Sequence, residues 1–188
     1  MERAVSFWDW AVAVYGDAEV AALCLDLQDA HGQCVPLLLW AAWCPRAGLR
    51  IDGDVARQAS GLARAWSDEV IAPLRSVRRR LKTALSAGDD EARLPLRQVV
   101  KAAELQAEKA LMAQLEALAP GGMPVPVSDL AAVRRDGLRV VAGAWSPGDP
   151  ADMLARLTEA LTKAEIVRYN GVIGGGRSPL DCPLASKP

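Results

Sequence analysis

The sequence predicts an all-α protein: a compact helical bundle with a central apolar helix, an antiparallel helical hairpin and a variable helical C-terminal extension. Three observations carry this. The chain of 188 residues is rich in Ala and Leu and poor in β-branched runs, which favours helix over strand. Its aromatics are six Trp, two Tyr and one Phe, with five of the Trp in the first 66 residues; such bulky side chains fill the middle of a small bundle. Apolar residues recur every three or four positions along most of the chain. At 51% hydrophobic and 24% charged, a chain of this size buries enough surface to fold without a disulfide or a metal.

The first helix is opened by Ser6, in a capping-box variant Ser6-Phe7-Trp8-Asp9, and runs to about Tyr15. Gly16 and Asp17 break it, and Asp17 caps a second helix over about Ala18 to His31. That helix places Val20, Leu23, Cys24, Leu27 and His31 on one face and ends at Gly32. Pro36 suits the first turn of a third helix. Leu37 to Cys44 has no polar face, so this helix is the core rod, with Leu38, Leu39, Trp40 and Trp43 buried.

A loop over Pro45 to Gly53 precedes a fourth helix, about Asp54 to Ala65, with Val55 and Leu62 inward. Val70, Leu74, Val77, Leu81 and Leu85 then trace one amphipathic face, kinked or delayed by Pro73 near its start. A sixth helix, about Leu94 to Leu118, turns Leu96, Val100, Ala103, Ala107, Leu111 and Leu118 inward. The short link between the fifth and sixth helices makes them an antiparallel hairpin.

Residues 120–127 (PGGMPVPV) read as a linker. Ser128 caps a short helix to about Arg135, a loop surrounds Trp145 to Pro150, and a last helix carries Met153, Leu154, Leu157 and Leu161. The expected organisation is a bundle over 1–119, linker and C-terminal helices over 120–168, and a disordered or weakly docked tail over 169–188.

Several chemistries are disfavoured. No apolar run reaches the ~18 residues that a membrane span requires, and the N-terminus does not read as a secretory signal, so a cytoplasmic protein is expected. Cys24, Cys34, Cys44 and Cys182 are scattered and His31 is the single histidine. Zinc sites need close-set pairs, so no metal site and no cofactor are expected. The glycines of GVIGGGRS at 171–178 lack the Lys-Ser/Thr of a P-loop, and no Gly-x-Ser-x-Gly elbow is present.

The formal charge is −1, but it is segregated. Residues 1–72 carry ten acidic and five basic side chains, residues 73–110 five acidic and nine basic. In the fifth helix Arg75, Arg78, Arg79 and Lys82 share an arc beside the apolar face, with Arg80 on the other flank. Such a stripe grips phosphates, docks an acidic surface, or stays a solvated edge whose stems cover the core. In the sixth helix Arg97, Lys101, Glu104 and Glu108 form one stripe, a set of ordinary ion pairs with one another and with Arg75. Arg75, Arg78 and Lys82 are accordingly expected to be partly paired within the bundle, and Arg79 left for a partner.

The LQDAHG block holds Asp26, Asp29 and His31. An Asp–His pair suits acid–base work, and Asp26 and Asp29 with Asp9 suit Mg²⁺ on a diphosphate. The bland reading is a structural histidine at a helix C-terminus, directed to the apolar face.

Five ordered blocks, SFWDWAVAVYG, ALCLDLQDAHG, VPLLLWAAW, WSDEVIAPLRSVRRRLK and KAAELQAEKALM, resemble an uncharacterised proteobacterial family of short all-helical proteins, a domain of unknown function. The resemblance covers about residues 5–115. This chain has Cys34 and Pro36 in a turn where relatives often have Asp and Asn. The resemblance implies an all-helical bacterial cytoplasmic protein and supplies no activity.

The leading expectation for function is a non-catalytic interaction or regulatory protein that meets an unidentified protein partner through its charge-polarised surface. The alternative is a protein that handles a small or phosphorylated ligand, an enzyme in one version, with the LQDAHG acids opposite the basic stripe. Weak nucleic-acid binding through the hairpin is the third reading, marked by steep salt dependence.

Overall fold

The computed structural model describes residues 5–84, 90–119, 123–148 and 150–170. Among them the regular structure is helical, and no strand is present. The element order is α1 (Phe7–Tyr15), α2 (Ala18–His31), α3 (Val35–Trp43), a 3₁₀ turn (Cys44–Ala47), α4 (Gly53–Trp66), a π-helical turn (Ser67–Ile71), α5 (Ala72–Arg80), α6 (Asp90–Ala117), α7 (Val127–Trp145) and α8 (Ala151–Asn170).

Local capping chemistry sets the first two helices. The Ser6 hydroxyl accepts from the Asp9 amide, and the Asp17 carboxylate accepts from the amides of Glu19 and Val20, which satisfies otherwise orphaned donors. Gly32 ends α2 at φ 62°, a left-handed conformation that glycine adopts without steric cost.

α3 is the central rod. It touches α1, α2, α4, α6 and α7, and Leu37, Leu38, Leu39 and Trp40 are all at most 1% exposed. Each such aliphatic side chain contributes about 1.5–3 kcal/mol through burial. Phe7 of α1 packs on Trp43 with ring centroids 5.5 Å apart. Trp10, Trp40 and Trp43 are core, whereas Trp8, Trp66 and Trp145 are partly buried against it, and their N–H groups differ. Those of Trp10, Trp66 and Trp145 donate to Glu165, Gln114 and Gly32, whereas that of buried Trp40 has no partner.

α7 and α8 belong to the same core. α7 packs on α3 and α4, and α8 packs on α2 and α7; Leu138, Val141, Leu154, Leu157 and Leu161 join the apolar cluster built around α3. The expected stop near Arg135 and the Ser128 cap are both corrected. α7 begins at Val127 after Pro126 and continues ten residues beyond Arg135 to Trp145. Gly137 is what misleads: it discourages helix in isolation, yet here it is buried where α7 crosses α3, and a Cβ added to it would lie 3.6 Å from the Ala41 carbonyl. Packing outweighs propensity. α8 runs to Asn170; the expected tail over 171–188 lies outside the described residues.

The hairpin departs most from its sequence pattern. Pro73 has no N–H for the Glu69 carbonyl and its ring crowds that oxygen. The π turn over Ser67–Ile71 widens the helix just before it and rotates the side chains of α5 about the helix axis. Ile71 and Leu81 are buried, Leu74 is partly buried, but Val77 is 48% exposed and Arg78 takes the inner position at 4%. α5 ends at Arg80, and Leu85 lies outside the described residues. On α6 the inner face is Glu104, Ala107, Glu108, Leu111, Met112 and Leu115; Leu96 and Ala103, expected inward, are exposed. The nine-residue α5 covers only part of the 28-residue α6.

Candidate functional site

The turn from α2 into α3, the start of α5, the middle of α6 and the end of α7 enclose a cavity of about 400 Å³, within the usual range for small-molecule sites. Its floor is apolar, from Leu25, Val35, Pro36, Ile71 and Leu111. Its polar wall combines Arg75, Arg78 and Arg79 with Glu108 on one side and Gln28, Asp29 and Gln33 on the other. Trp145 closes one end. Its N–H donates to the Gly32 carbonyl at 2.8 Å, the Arg64 guanidinium lies over its ring at 4.5 Å, and Arg64 also donates to its carbonyl oxygen.

The arginines divide into two kinds. Arg75 donates through Nε to Glu104 Oε1 at 2.8 Å and through Nη2 to Glu108 Oε1 at 3.1 Å. Arg78 donates through Nε to Glu104 Oε2 at 2.5 Å. Both carboxylates come from successive turns of one α6 face, the i, i+4 geometry that brings them under the same neighbour. Arg79 is one residue further round α5, exposed, and pairs with no described carboxylate. Lys82 lies past the helix end and is likewise exposed and without a described ion pair; it does not line the cavity.

Two buried polar atoms in the cavity wall have no hydrogen-bond partner, Gln33 Oε1 and Glu108 Oε2. Leaving such an atom unpaired costs about 1–3 kcal/mol. Burial pushes the Glu108 carboxyl up to about 8, against the opposing pull of Arg75 and with the help of the Glu104 charge. The Cys34 thiol, also in the wall, is pushed up to about 11 by burial and stays a neutral thiol.

Of the residues singled out in the sequence, the structure brings Arg75, Arg78, Arg79 and Asp29 to one cavity. Asp26 and His31 are not part of it. His31 does not face the core: it is exposed on the last turn of α2, where the chain leaves for α3. Lys82, expected to be partly paired, has no ion pair among the described residues and lies past the end of α5 at Arg80. Gln33, Glu108 and Trp145 were not read as site residues. Glu108 carried a sequence signal through its spacing from Glu104; Gln33 and Trp145 carried none, since they meet only through the tertiary fold. Among the described residues no three His, Cys, Asp or Glu side chains cluster closely enough to hold a metal ion, and no helix is long and apolar enough to cross a membrane.

A family model described as a protein of unknown function, DUF2390, matches residues 6–115. The chain belongs to that family. No curated protein and no solved structure matches it. The family segment contains every residue of the cavity wall except Trp145, so α7, which lies beyond the match, adds one wall to a site that the family segment otherwise supplies.

Proposed function

We propose that the protein binds a small molecule with one anionic group on an apolar body, in the cavity between the α2–α3 turn and the hairpin. The observation that carries this reading is Arg79, an exposed cavity-lining guanidinium with no ion pair among the described residues, set beside an apolar floor. A ligand that carries an anion on an apolar body is the partner this lining favours. The apolar floor takes the body of the molecule, and Arg79, with no described counter-ion, takes its charge. Among the described residues no nucleophile with an adjacent base lines the cavity, which favours binding over covalent catalysis.

Docking of an acidic protein surface is a second reading, favoured by Arg79, Arg80 and Lys82, all exposed at the end of α5. Benzoate separates the two. Under the first reading it raises the melting temperature and moves the Trp145 indole N–H resonance, benzyl alcohol does neither, and Arg79→Glu abolishes both effects. A Trp145 signal that stays put at millimolar benzoate overturns the cavity reading.

A further inference from the structure

We infer that two copies of this chain pair through the outer face of α6, running antiparallel about a two-fold axis near Val100. This face is opposite the one that supplies Glu108 to the cavity, so the inference does not depend on the ligand reading. Ala92, Leu96, Val99, Ala103, Gln106 and Ala110 recur at alternating steps of four and three residues. That spacing lays one row along a helix and suits a second helix beside it. Leu96 is 50% and Val99 64% exposed, Ala92, Ala103 and Gln106 are exposed too, and Ala110 is partly so. The elements that contact α6 bury its opposite face, Glu104, Glu108 and Leu115 among it. A single exposed leucine is ordinary. A continuous uncharged row over about five turns is the kind of surface that marks an interface.

The charges at its ends choose the occupant. The residues that flank the row, Pro95, Gln98 and Ala102, are uncharged. Glu91 stands at one end and Lys109 at the other, both exposed. About five whole turns of 3.6 residues separate them, so they share one flank of the helix. The Lys109 ammonium is held on that flank over the Trp8 ring, 5.0 Å from its centroid. A lipid surface or a nucleic acid would call for bases along the row. Opposite charges at the two ends call instead for a partner that carries the same row in reverse order. A second copy turned end for end is that partner. Glu91 and Lys109 lie equally far on either side of Val100, so a two-fold axis there sets each Glu91 against Lys109 of the other copy. The same arrangement brings Val99 to the small Ala103 of the other copy, a large side chain against a small one. The contact is isologous, so it closes as a dimer.

Sedimentation equilibrium of the full chain, from micromolar to millimolar concentration, should find a reversible monomer–dimer equilibrium. Val99→Glu sets a charge where the two copies cross and should leave a monomer throughout that range. Because Val99 faces solvent in the single chain, circular dichroism of this variant should match the wild type. Charge exchange then tests the direction of pairing. In an antiparallel dimer Glu91→Lys and Lys109→Glu each turn two attractive pairs into repulsive ones, and each alone should weaken association at least about tenfold. The double variant Glu91→Lys with Lys109→Glu restores both attractions and should dimerise within a few-fold of the wild type. A parallel pair sets like charges together in the wild type already, so neither single change would weaken it and the double change would restore nothing. A chain that stays monomeric at millimolar concentration overturns the inference, as does a dimer that survives Val99→Glu. A dimer that the single charge changes leave intact, or that the double variant fails to restore, overturns it as well.

Discussion

Two buried arginine–glutamate networks hold this bundle together, and they differ in how completely they are paired. The first joins the C-terminal helices to the centre. Arg134 of α7, fully buried, donates to the Ala42 carbonyl, to Thr162 and to Glu165. Glu165 Oε1 also accepts from the Trp10 indole at 2.7 Å and from Arg46 at 3.0 Å. Every nitrogen of the Arg134 guanidinium has a partner. The second network, Arg75 and Arg78 with Glu104 and Glu108, has two carboxylates where the first has one, and leaves the buried Glu108 Oε2 without a hydrogen-bond partner. A closed network specifies a packing arrangement. An open one leaves a buried oxygen unpaired, at a cost of about 1–3 kcal/mol. The difference lies in completeness, since both sets contain buried charges that were costly to desolvate.

Reversing a charge inside the open network should have the largest effect on stability. Arg78→Glu sets a carboxylate against the fully buried Glu104, removing one partner and adding a like charge. Losing a buried partner alone costs about 3–5 kcal/mol, so urea denaturation should find this variant barely folded. It should also bind no benzoate. A loss of under about 1 kcal/mol, the value of a surface pair, would show that the network is solvated.

Glu165→Gln tests the closed network more gently. The amide keeps an oxygen for the Trp10 indole but leaves Arg134 without its counter-ion. Burial already holds the Arg134 guanidinium below its ordinary range, and Glu165 is the main group opposing that shift. The expected loss is about 1.5–3 kcal/mol, the value of a hydrogen bond to a charged group. The matching change in the open network, Glu108→Gln, should run the other way as the medium becomes alkaline. Glu108 keeps its proton in the folded chain up to about 8 and has an ordinary value of 4.5. Between those values the folded state binds more protons, so wild-type stability falls as pH rises through that window and is level outside it. Glu108→Gln should flatten that part of the stability curve and be the more stable chain above about pH 8. Equal slopes in the two chains would remove Glu108 from the account.

What was legible in the sequence was local. Asp17 and Gly32 mark both ends of α2 because caps act within a few residues. The apolar run around Leu38 and Trp40 tolerates no wet face, so the central helix could be read directly. The pairing of Arg75 with Glu104 and Glu108 followed from their charge and the short hairpin link. The inward turn of Arg78 was not legible, because it depends on a π turn that slips the face of α5 past its apolar pattern. Nor was the length of α7, where Gly137 reads as a break until α3 is packed against it. The cavity was the least legible feature of all. Trp145 donates to Gly32 across 113 residues, and Gln33 and Glu108 share a wall only after the hairpin folds over the α2–α3 turn.

Arg79→Glu should have the smallest effect on stability and separates the two roles of the stripe. Arg75 and Arg78 face the bundle, and their carboxylates neutralise them. Arg79 sits next to Arg78 in sequence and lines the same cavity, but it is exposed and without a described ion pair. Reversing an exposed charge away from any buried feature changes stability by at most about 0.5 kcal/mol. It should even relieve the repulsion with Lys82 and Arg75, which flank it at i+3 and i−4 and are worth a few tenths of a kcal/mol each. Binding should respond quite differently. The excess positive charge of the cavity wall becomes an excess negative one, so benzoate affinity should drop at least about tenfold, the equivalent of about 1.4 kcal/mol. Thermal melting and benzoate titration on one preparation read both quantities together. A melting temperature several degrees lower would place Arg79 among the structural arginines, and unchanged benzoate affinity would mean that the anion enters the cavity without meeting Arg79.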